Sequence, residues 1–182
     1  MPPSLDRAST TLLLIDWQER LYDVMPRERR ESARAAAGLL RWMAGELGMP
    51  ILASEQYPRG LGSTLSDLAT PDPVEKMTFS ALRTPAFATR LGPAPRAVLV
   101  AGMETHICVA QTCRDLVAAG HQVWLVADAC LSRRPLDWEL GVARIRQDGA
   151  TVVTAEAALF ELLGEAGTPL FKELSRRIRD LK

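Results

Sequence analysis

Residues 97–115 read AVLVAGMETHICVAQTCRD, a pattern that indicates a strand, a sharp turn and a helix. The first five residues are apolar, which predicts a buried strand that ends at Gly102. Thr105 is placed to cap a helix over residues 106–118, where apolar side chains recur at helical spacing. Cys108 then lies in the first helical turn, where unpaired N–H groups and the helix dipole should ease ionisation of its thiol. This is the layout of a nucleophile elbow, although a small, inert, buried thiol fits the same pattern.

The chain around this stretch alternates helices with short apolar strands. Residues 27–47 carry apolar side chains on one face of a long helix, Gly48 follows as its C-terminal cap, and residues 50–53 form a strand. A helix followed by a glycine also precedes each of the strands at residues 123–127 and 151–154. Such alternation predicts a three-layer α/β/α fold with a doubly wound parallel sheet of about six strands, in the order 3-2-1-4-5-6.

The rest of the chain has weaker patterns. They predict a first strand at residues 10–15, a loop at 17–26, mostly loop at 54–73, a brief strand at 74–79, a short helix at 84–91 and two tail helices that separate near residues 164–169. The last helix is basic and amphipathic, with apolar residues Leu170, Phe171, Leu174, Ile178 and Leu181. We expect it to pack on the domain or on a second subunit rather than on a membrane.

The overall composition is typical of a single globular domain over residues 1–182. Hydrophobic residues make up 47% of the chain, and 22 basic side chains balance 22 acidic ones, so nothing indicates a nucleic acid or an anionic membrane as partner. No apolar run approaches the roughly 20 residues of a membrane span, and no basic segment precedes a signal-peptide core. Three cysteines without regular spacing predict free thiols in a reducing, cytoplasmic compartment.

Two charged residues are candidates to act with Cys108. Asp16 ends the first strand, and the expected strand order places the carboxyl ends of the first and fourth strands side by side. A carboxylate beside the thiol would be a base, although Asp16 alone would also fit as the cap of a turn. Lys76 stands in the partly apolar stretch EKMTFSAL, where a lysine at a strand end would lose part of its hydration. A solvated surface lysine fits that stretch as well.

Four segments together resemble a known family. The segments TTLLLIDWQ, SEQYPRGLG, EKMTFSAL and VLVAGMETHICVAQTCRDLVAAGHQVWLVADAC, spread over roughly residues 8–155, resemble the isochorismatase-like cysteine hydrolases. Within that family, EQYPRGLG is most similar to the isochorismatase-domain-containing and YcaC-like branch. The resemblance implies a hydrolase without a cofactor that acts on a small molecule, forms homo-oligomers and uses an Asp-Lys-Cys triad.

The motifs place this implied triad at Asp16, Lys76 and Cys108. In that role Asp16 takes the thiol proton, Cys108 attacks a carbonyl carbon, and Lys76 keeps the aspartate ionised. The resemblance also implies a cis peptide between Met103 and Glu104 and an oxyanion hole formed by the N–H groups of Glu104 and Cys108. Several flanking residues are candidates to line a substrate pocket, with local packing as the alternative for each: Trp17, Gln18, Gln56, Tyr57, Phe79 and Thr105.

One departure from related enzymes concerns metal binding. Nicotinamidases of this superfamily bind a metal through an aspartate and two histidines after the second strand, and SEQYPRGLG contains no histidine. We therefore expect no metal. His106 lies about 200° around a helix from Cys108, which makes a Cys-His dyad geometrically poor. Cys113 and Cys130 lack zinc-ligand spacing and are expected to be buried structural thiols.

The sequence thus predicts a cysteine-dependent hydrolase that cleaves the C–N bond of a small amide through a thioester intermediate. Two other functions remain open. A catalytically silent member of the same fold would act through interactions and would have a Cys108 with an ordinary pKa. A thiol redox protein would pair Cys108 with Cys113, although their spacing is not that of a C-x-x-C motif.

Overall fold

A computed structural model describes residues 5–94 and 96–180 of the chain. Within these residues, one parallel sheet contains six strands: β1 (Thr10–Ile15), β2 (Ile51–Gln56), β3 (Val74–Lys76), β4 (Ala97–Met103), β5 (Gln122–Leu131) and β6 (Thr151–Val153). Their order is β3-β2-β1-β4-β5-β6, and every adjacent pair is parallel. The predicted doubly wound sheet is therefore confirmed, because the chain moves outward from β1 in one direction and restarts at β4 in the other.

Helices cover both faces of this sheet. They are α1 (Glu19–Asp23), α2 (Arg27–Glu46), α3 (Pro58–Leu61), α4 (Pro85–Leu91), α5 (Ala110–Ala118), α6 (Pro135–Gln147), α7 (Ala155–Leu163) and α8 (Pro169–Asp180). Ala81–Arg83 form a 3-10 turn, and Thr105–Val109 form a π-helical turn that leads into α5. The helices α2, α7 and α8 share one hydrophobic core with the sheet, and α4, α5 and α6 share the other.

The two central strands are buried on both faces, which explains their continuous apolar sequence. Every residue of β1 and β4 is buried. Along β1, Leu12 and Leu14 belong to the core on the α2 side, whereas Leu13 and Ile15 belong to the core on the α5 side. Each such side chain contributes about 1.5–3 kcal/mol relative to an exposed one. This packing fixes the end of β1, and therefore the position of Asp16, from both sides.

The loop predicted at residues 17–26 is partly wrong, because it contains α1. The helix follows Gln18, whose carbonyl accepts the N–H of Tyr22 at 2.8 Å. Tyr22 is buried, and Leu21 packs against the core. A helix of five residues is too short to show a clear hydrophobic period in the sequence.

The strand predicted at residues 74–79 is shorter than expected. It ends at Lys76, whose pairing partner Gln56 is the last residue of β2. The carbonyls of Thr78 and Phe79 then turn back and accept hydrogen bonds from the Lys76 ammonium. The chain leaves the sheet at this point because its backbone acceptors bind a side chain instead of a neighbouring strand.

The last helix packs on its own domain, as one of the two predicted roles requires. Leu174 is fully buried in the core, and Leu170 and Ile178 pack against it. Leu181, which the prediction also included, lies outside the described residues. Among the helices of the described ranges, none is long and apolar enough to cross a membrane.

Gly102 allows β4 to lie close to β1. It pairs with Ile15, and a Cβ built at Gly102 would lie 2.6 Å from the Ile15 Cβ and closer still to the Ile15 carbonyl oxygen. The register of the β4–β5 pair also shifts between Val100 and Gly102. A side chain at this position would separate the two strands whose carboxyl ends carry Asp16 and the turn that contains Cys108.

We expect Gly102→Ala to lower the free energy of unfolding by about 1–3 kcal/mol, because backbone atoms block the added methyl group. Gly38→Ala is the matched control. Gly38 lies inside α2 with nothing within 4 Å of a built Cβ, so the same change there should stabilise the protein by about 0.5–1 kcal/mol. Urea unfolding followed by circular dichroism compares both variants with the wild type. A Gly102→Ala protein of unchanged stability would contradict the close approach of the strands.

Candidate active site

The ends of three strands bring Asp16, Lys76 and Cys108 together. Asp16 follows β1, Lys76 is the last residue of β3, and Cys108 lies in the π-helical turn after β4. The three residues are buried, with exposed fractions of 0%, 3% and 6%. They meet at the carboxyl edge of the sheet, beside the point where the strand order reverses. This is the edge at which doubly wound sheets bind their ligands.

Both carboxylate oxygens of Asp16 have partners. Ser54 Oγ donates to Oδ1 at 2.7 Å, and Lys76 Nζ lies 2.7 Å from Oδ2. The backbone of Asp16 has a φ of 53°, in the left-handed region that aspartate adopts more readily than most residues. Burial raises the pKa of Asp16, while Lys76, Ser54 and the Cys108 thiol oppose that rise. A carboxylate with a raised pKa is a stronger base, which suits proton abstraction.

The Lys76 ammonium is surrounded by oxygen atoms. Besides its contact with Asp16, it donates to Gln56 Oε1 at 2.7 Å and to the carbonyls of Phe79 and Thr78 at 3.2 Å and 3.3 Å. An ammonium group has only three N–H donors, so these oxygens use its whole hydrogen-bonding capacity. Lys76 therefore holds Asp16 and Gln56 in place and has no donor left for another anion.

The surroundings of the Cys108 thiol favour its protonated form. Burial and the neighbouring Asp16 carboxylate raise its pKa to about 12, while Lys76 opposes the rise. Its Sγ lies 4.0 Å from Gln56 Oε1. The expectation that the helix N-terminus eases ionisation is therefore wrong for the resting state, because desolvation and a like charge outweigh the helix dipole.

The turn that carries Cys108 is π-helical rather than α-helical. The N–H of Val109 donates to the carbonyl of Glu104 at 3.2 Å, five residues earlier. The Thr112 hydroxyl donates to the Cys108 carbonyl at 2.7 Å and ties the turn to α5. Single π-helical turns occur frequently at functional sites. The sequence predicts an ordinary helix here because the apolar spacing does not distinguish the two geometries.

Two contacts fix this turn against the rest of the domain. The Thr105 hydroxyl donates to the carbonyl of Leu131 at 3.0 Å, at the end of β5. The predicted capping role of Thr105 is therefore wrong, since its side chain accepts no N–H from the helix. On the other side α6 packs closely through Gly141, where a Cβ would lie 3.0 Å from backbone atoms of His106.

A cavity of about 130 Å³ opens beside the Cys108 thiol. Its lining combines polar groups with apolar ones: Asp16, Leu21, Gln56, Leu61, Phe79, Glu104, Ile107 and Cys108. A larger surface depression of about 420 Å³ is lined by residues 5–7 and 161–165 and contains no cysteine. The smaller cavity is therefore the candidate active site.

Glu104 lies where this cavity meets the surface. The Met103–Glu104 peptide is cis, as the resemblance implies. Glu104 Oε2 accepts hydrogen bonds from Arg133 Nε at 2.9 Å and from the Arg133 backbone N–H at 3.2 Å. The Glu104 side chain is 7% exposed and the Arg133 side chain 57% exposed. The ion pair therefore extends from the cavity wall to solvent.

Two of the residues proposed to line the pocket do so in the structure, namely Gln56 and Phe79. Trp17 is fully buried in the core on the α2 side. Tyr57 is 49% exposed, and its ring lies against Gly60. Thr105 and Gln18 are buried and bond to the backbone instead of lining the cavity.

Gln18 acts on the site indirectly. Its Oε1 accepts the N–H of Gln56 at 2.7 Å, and its Nε2 donates to the carbonyls of Gly62 and Gln56 at 2.7 Å and 3.1 Å. The amide thus satisfies the backbone where β2 ends and holds Gln56 in place. Gln56 in turn contacts both Lys76 and Cys108.

Sequence analysis missed four residues that build the site. Leu21, Leu61 and Ile107 line the cavity, and Ser54 bonds to Asp16. The two leucines are half-buried and lie in segments that the sequence predicts as loop, so their positions give no periodic signal. Ser54 directly follows the second predicted strand, so the strand-end argument that identified Asp16 would also have identified it.

His106 has partners other than the thiol. Its Nδ1 hydrogen-bonds to Ser132 Oγ at 3.0 Å, and its Nε2 lies 3.8 Å from Asp137 Oδ2. These partners lie just after β5 and in α6. The arrangement gives no Cys-His dyad with Cys108, as the sequence predicted.

The other two cysteines are buried structural thiols, as predicted. Cys113 and Cys130 are 0% and 1% exposed and form no disulfide. Burial raises the pKa of Cys130 to about 12 and that of Cys113 well above its ordinary value. Over residues 5–94 and 96–180, no group of three or more His, Cys, Asp or Glu side chains is arranged to hold a metal ion.

The family model and the curated relatives that match this chain identify the same family. The family model of the isochorismatase domain matches residues 10–157. Isochorismatase domain-containing protein 2 of Bos taurus is 38% identical over 185 aligned positions, which cover 98% of this chain and 88% of that protein. The Homo sapiens protein of the same name is 37% identical with the same coverage.

Solved structures agree with this assignment. The MAR1 ribonuclease of Caenorhabditis elegans superposes with a TM-score of 0.86 at 30% identity and covers 97% of this chain and 93% of its own. YcaC of Pseudomonas aeruginosa also has a TM-score of 0.86, covers 99% and 98%, and shares the fold at 18% identity. The chain therefore belongs to the isochorismatase domain family and has the hydrolase fold of that family.

Proposed function

We propose that this protein is a cysteine-dependent hydrolase of small-molecule amides, with Cys108 as nucleophile, Asp16 as general base and Lys76 as its electrostatic support. The observation that carries the proposal is the buried ion pair between Lys76 Nζ and Asp16 Oδ2, 2.7 Å long, beside a thiol that lines a cavity. Withdrawing these groups from water is costly for a fold, and such clusters are concentrated where covalent chemistry occurs.

In the first half-reaction the thiol becomes an acyl carrier. The Cys108 proton passes to Asp16 as Sγ attacks the amide carbonyl carbon, and the carbonyl oxygen becomes an oxyanion. The backbone N–H groups of Glu104 and Cys108 are the proposed oxyanion donors. The C–N bond then breaks, the amine leaves with the proton from Asp16, and a thioester remains on Cys108.

In the second half-reaction water replaces the thiol. Asp16 takes a proton from the water as the water oxygen attacks the thioester carbonyl. The C–S bond then breaks, and the proton returns from Asp16 to the Cys108 sulfur. The products are a carboxylic acid and an amine, so no redox cofactor is required. The positive charge of Lys76 favours the ionised form of Asp16 before each proton transfer.

The raised pKa values agree with this division of roles. A thiol with a pKa of about 12 is neutral at rest, so Asp16 must remove its proton during the attack. Only the carboxylate form of Asp16 can do this. Activity is therefore expected to rise with pH as Asp16 loses its own proton, through a pKa above the ordinary value for aspartate.

Two structural relatives bear on the size of bound compounds and on assembly. Pseudomonas aeruginosa YcaC is described with covalent acrylamide, which is a small amide. Escherichia coli YcaC is described as an octameric hydrolase of unknown specificity. By analogy with these proteins of the same fold we propose that this chain also forms a homo-oligomer, and we expect a reducing, cytoplasmic compartment for its three thiols.

RNA is a weaker candidate substrate, although the Caenorhabditis elegans relative is described as a ribonuclease. The cavity of about 130 Å³ is well below the roughly 300 Å³ at the lower end of ordinary ligand pockets. The 22 basic and 22 acidic residues of the chain also give no net attraction for a polyanion. Both features favour a small molecule.

We expect wild-type protein to release ammonia from small primary amides such as propionamide. Cys108→Ala should lower kcat/KM by roughly 10³-fold or more, because the covalent route is lost. A coupled ammonia assay measures both, and Cys130→Ala, which removes a buried thiol outside the cavity, is the control. Absence of ammonia release across an amide panel would favour the silent member, and a Cys108–Cys113 disulfide under mild oxidant would favour the redox protein.

Asp16→Asn should lower the pKa of Cys108 by about one unit or more, because it removes a like charge while Lys76 remains. Adding Lys76→Met to that variant should raise the pKa again, and the double variant has no unpaired buried charge at these two positions. The pH dependence of Cys108 alkylation, followed by peptide mass spectrometry, measures both shifts, with Cys113 and Cys130 as internal controls. Both variants should lose amide hydrolysis. If adding Lys76→Met shifted the Cys108 pKa in the same direction as Asp16→Asn, the proposed roles would be contradicted.

A further inference from the structure

The size of the cavity beside Cys108 limits what can reach the thiol. Its volume of about 130 Å³ is slightly less than that of an engineered apolar cavity of about 150 Å³ that admits benzene. A compound of about six non-hydrogen atoms or fewer therefore fits. Half of the lining is apolar, from Leu21, Leu61, Phe79 and Ile107.

The charged residues in the lining are acidic. Asp16 and Glu104 both carry carboxylates, and among the described residues that line the cavity there is no arginine, lysine or histidine. Arg133, the partner of Glu104, is more than half exposed and lies outside the lining. The described lining therefore offers a ligand carboxylates but no cationic side chain.

Lys76 balances the charge of Asp16 but has no N–H left for a ligand. Its ammonium forms the ion pair with Asp16 and donates its hydrogen bonds to Gln56 Oε1 and to two backbone carbonyls. Proteins that bind a carboxylate generally use an arginine fork or several free N–H groups. A carboxylate on the substrate would lose its water without gaining such a partner, and Glu104, which lines the same cavity, would repel it.

We propose that the substrates are small, uncharged carbonyl compounds and that the Glu104 carboxylate keeps anionic ones away from Cys108. The reaction itself rests on the proposed function, whereas this discrimination concerns only what reaches the thiol. The same charge favours product release, because hydrolysis of a neutral amide yields a carboxylate that the walls repel.

Two alkylating reagents of nearly equal size test the proposal. Iodoacetamide is neutral and iodoacetate is anionic, and each forms an S–C bond while iodide leaves and the thiol proton passes to Asp16 or solvent. Rates at Cys108 are measured by peptide mass spectrometry at one alkaline pH and compared with those of 2-mercaptoethanol, a neutral free thiol. We expect the preference of Cys108 for iodoacetamide to exceed that of the free thiol by about tenfold or more.

Two variants of one ion pair separate charge from structure. Glu104→Gln keeps the backbone N–H and removes the negative charge, so the preference for iodoacetamide should fall towards that of the free thiol. Arg133→Gln removes the positive partner and leaves Glu104 unneutralised, so the preference should stay or increase. Both changes break the contact between Glu104 Oε2 and Arg133 Nε. A merely structural role would therefore move both variants in the same direction.

Three results would overturn the inference. One is a wild-type preference equal to that of the free thiol, the second is an equal change in both variants, and the third is a Cys108 that neither reagent reaches. The ammonia assay stays independent of these outcomes. Charge discrimination without ammonia release would reject the amidase and keep the discrimination. Equal hydrolysis of neutral pyruvamide and anionic oxamate, which have six non-hydrogen atoms each, would keep the amidase and reject the discrimination.

Discussion

Lys76 Nζ and Asp16 Oδ2 lie 2.7 Å apart with both side chains fully withdrawn from solvent, and the rest of the site depends on this ion pair. Burial of two charges costs several kcal/mol per ion, which is recovered only when further hydrogen bonds complete the geometry. Ser54 and Gln56 supply two of these bonds. A pair of apolar residues would stabilise a fold as well or better. The presence of the Lys76–Asp16 ion pair is therefore better explained by chemistry than by stability.

The topology of the sheet makes this pair possible. Asp16 follows β1 and Lys76 ends β3, so one strand, β2, lies between the strands of the two residues. The strand between them, β2, supplies Ser54 to Asp16 and Gln56 to Lys76. Gln18 then bonds to the backbone of Gln56 and fixes the end of β2 itself. The charges are thus held by one strand whose own end is held by a buried amide.

Sequence reasoning succeeds where one strand determines the answer and fails where several elements must meet. The apolar runs of β1 and β4 are buried on both faces, so their sequence predicts two central strands and the strand end at Asp16. The alternation of helices and strands along the chain predicts the order of the sheet. The pKa of Cys108 depends on burial and on Asp16, which are tertiary features. The helix dipole was the only effect visible locally, and it predicted the wrong direction. Thr105 is similar, because its acceptor at Leu131 is distant in sequence.

The same division applies only in part to the cavity beside Cys108. The proposed catalytic groups lie at strand ends or in the turn after β4, where sequence patterns are strong and where the family resemblance lies. The cavity wall is built by short segments instead: Leu21 in α1, Leu61 in α3, Phe79 after β3 and Ile107 in the π-helical turn. Such segments carry little periodic signal and tolerate change without loss of the sheet. Leu61, Phe79 and Ile107 lie in segments that carry the family resemblance, whereas Leu21 does not. The resemblance therefore bears on the proposed chemistry at Cys108 and on most of the cavity wall, and Leu21 is the lining residue that it does not cover.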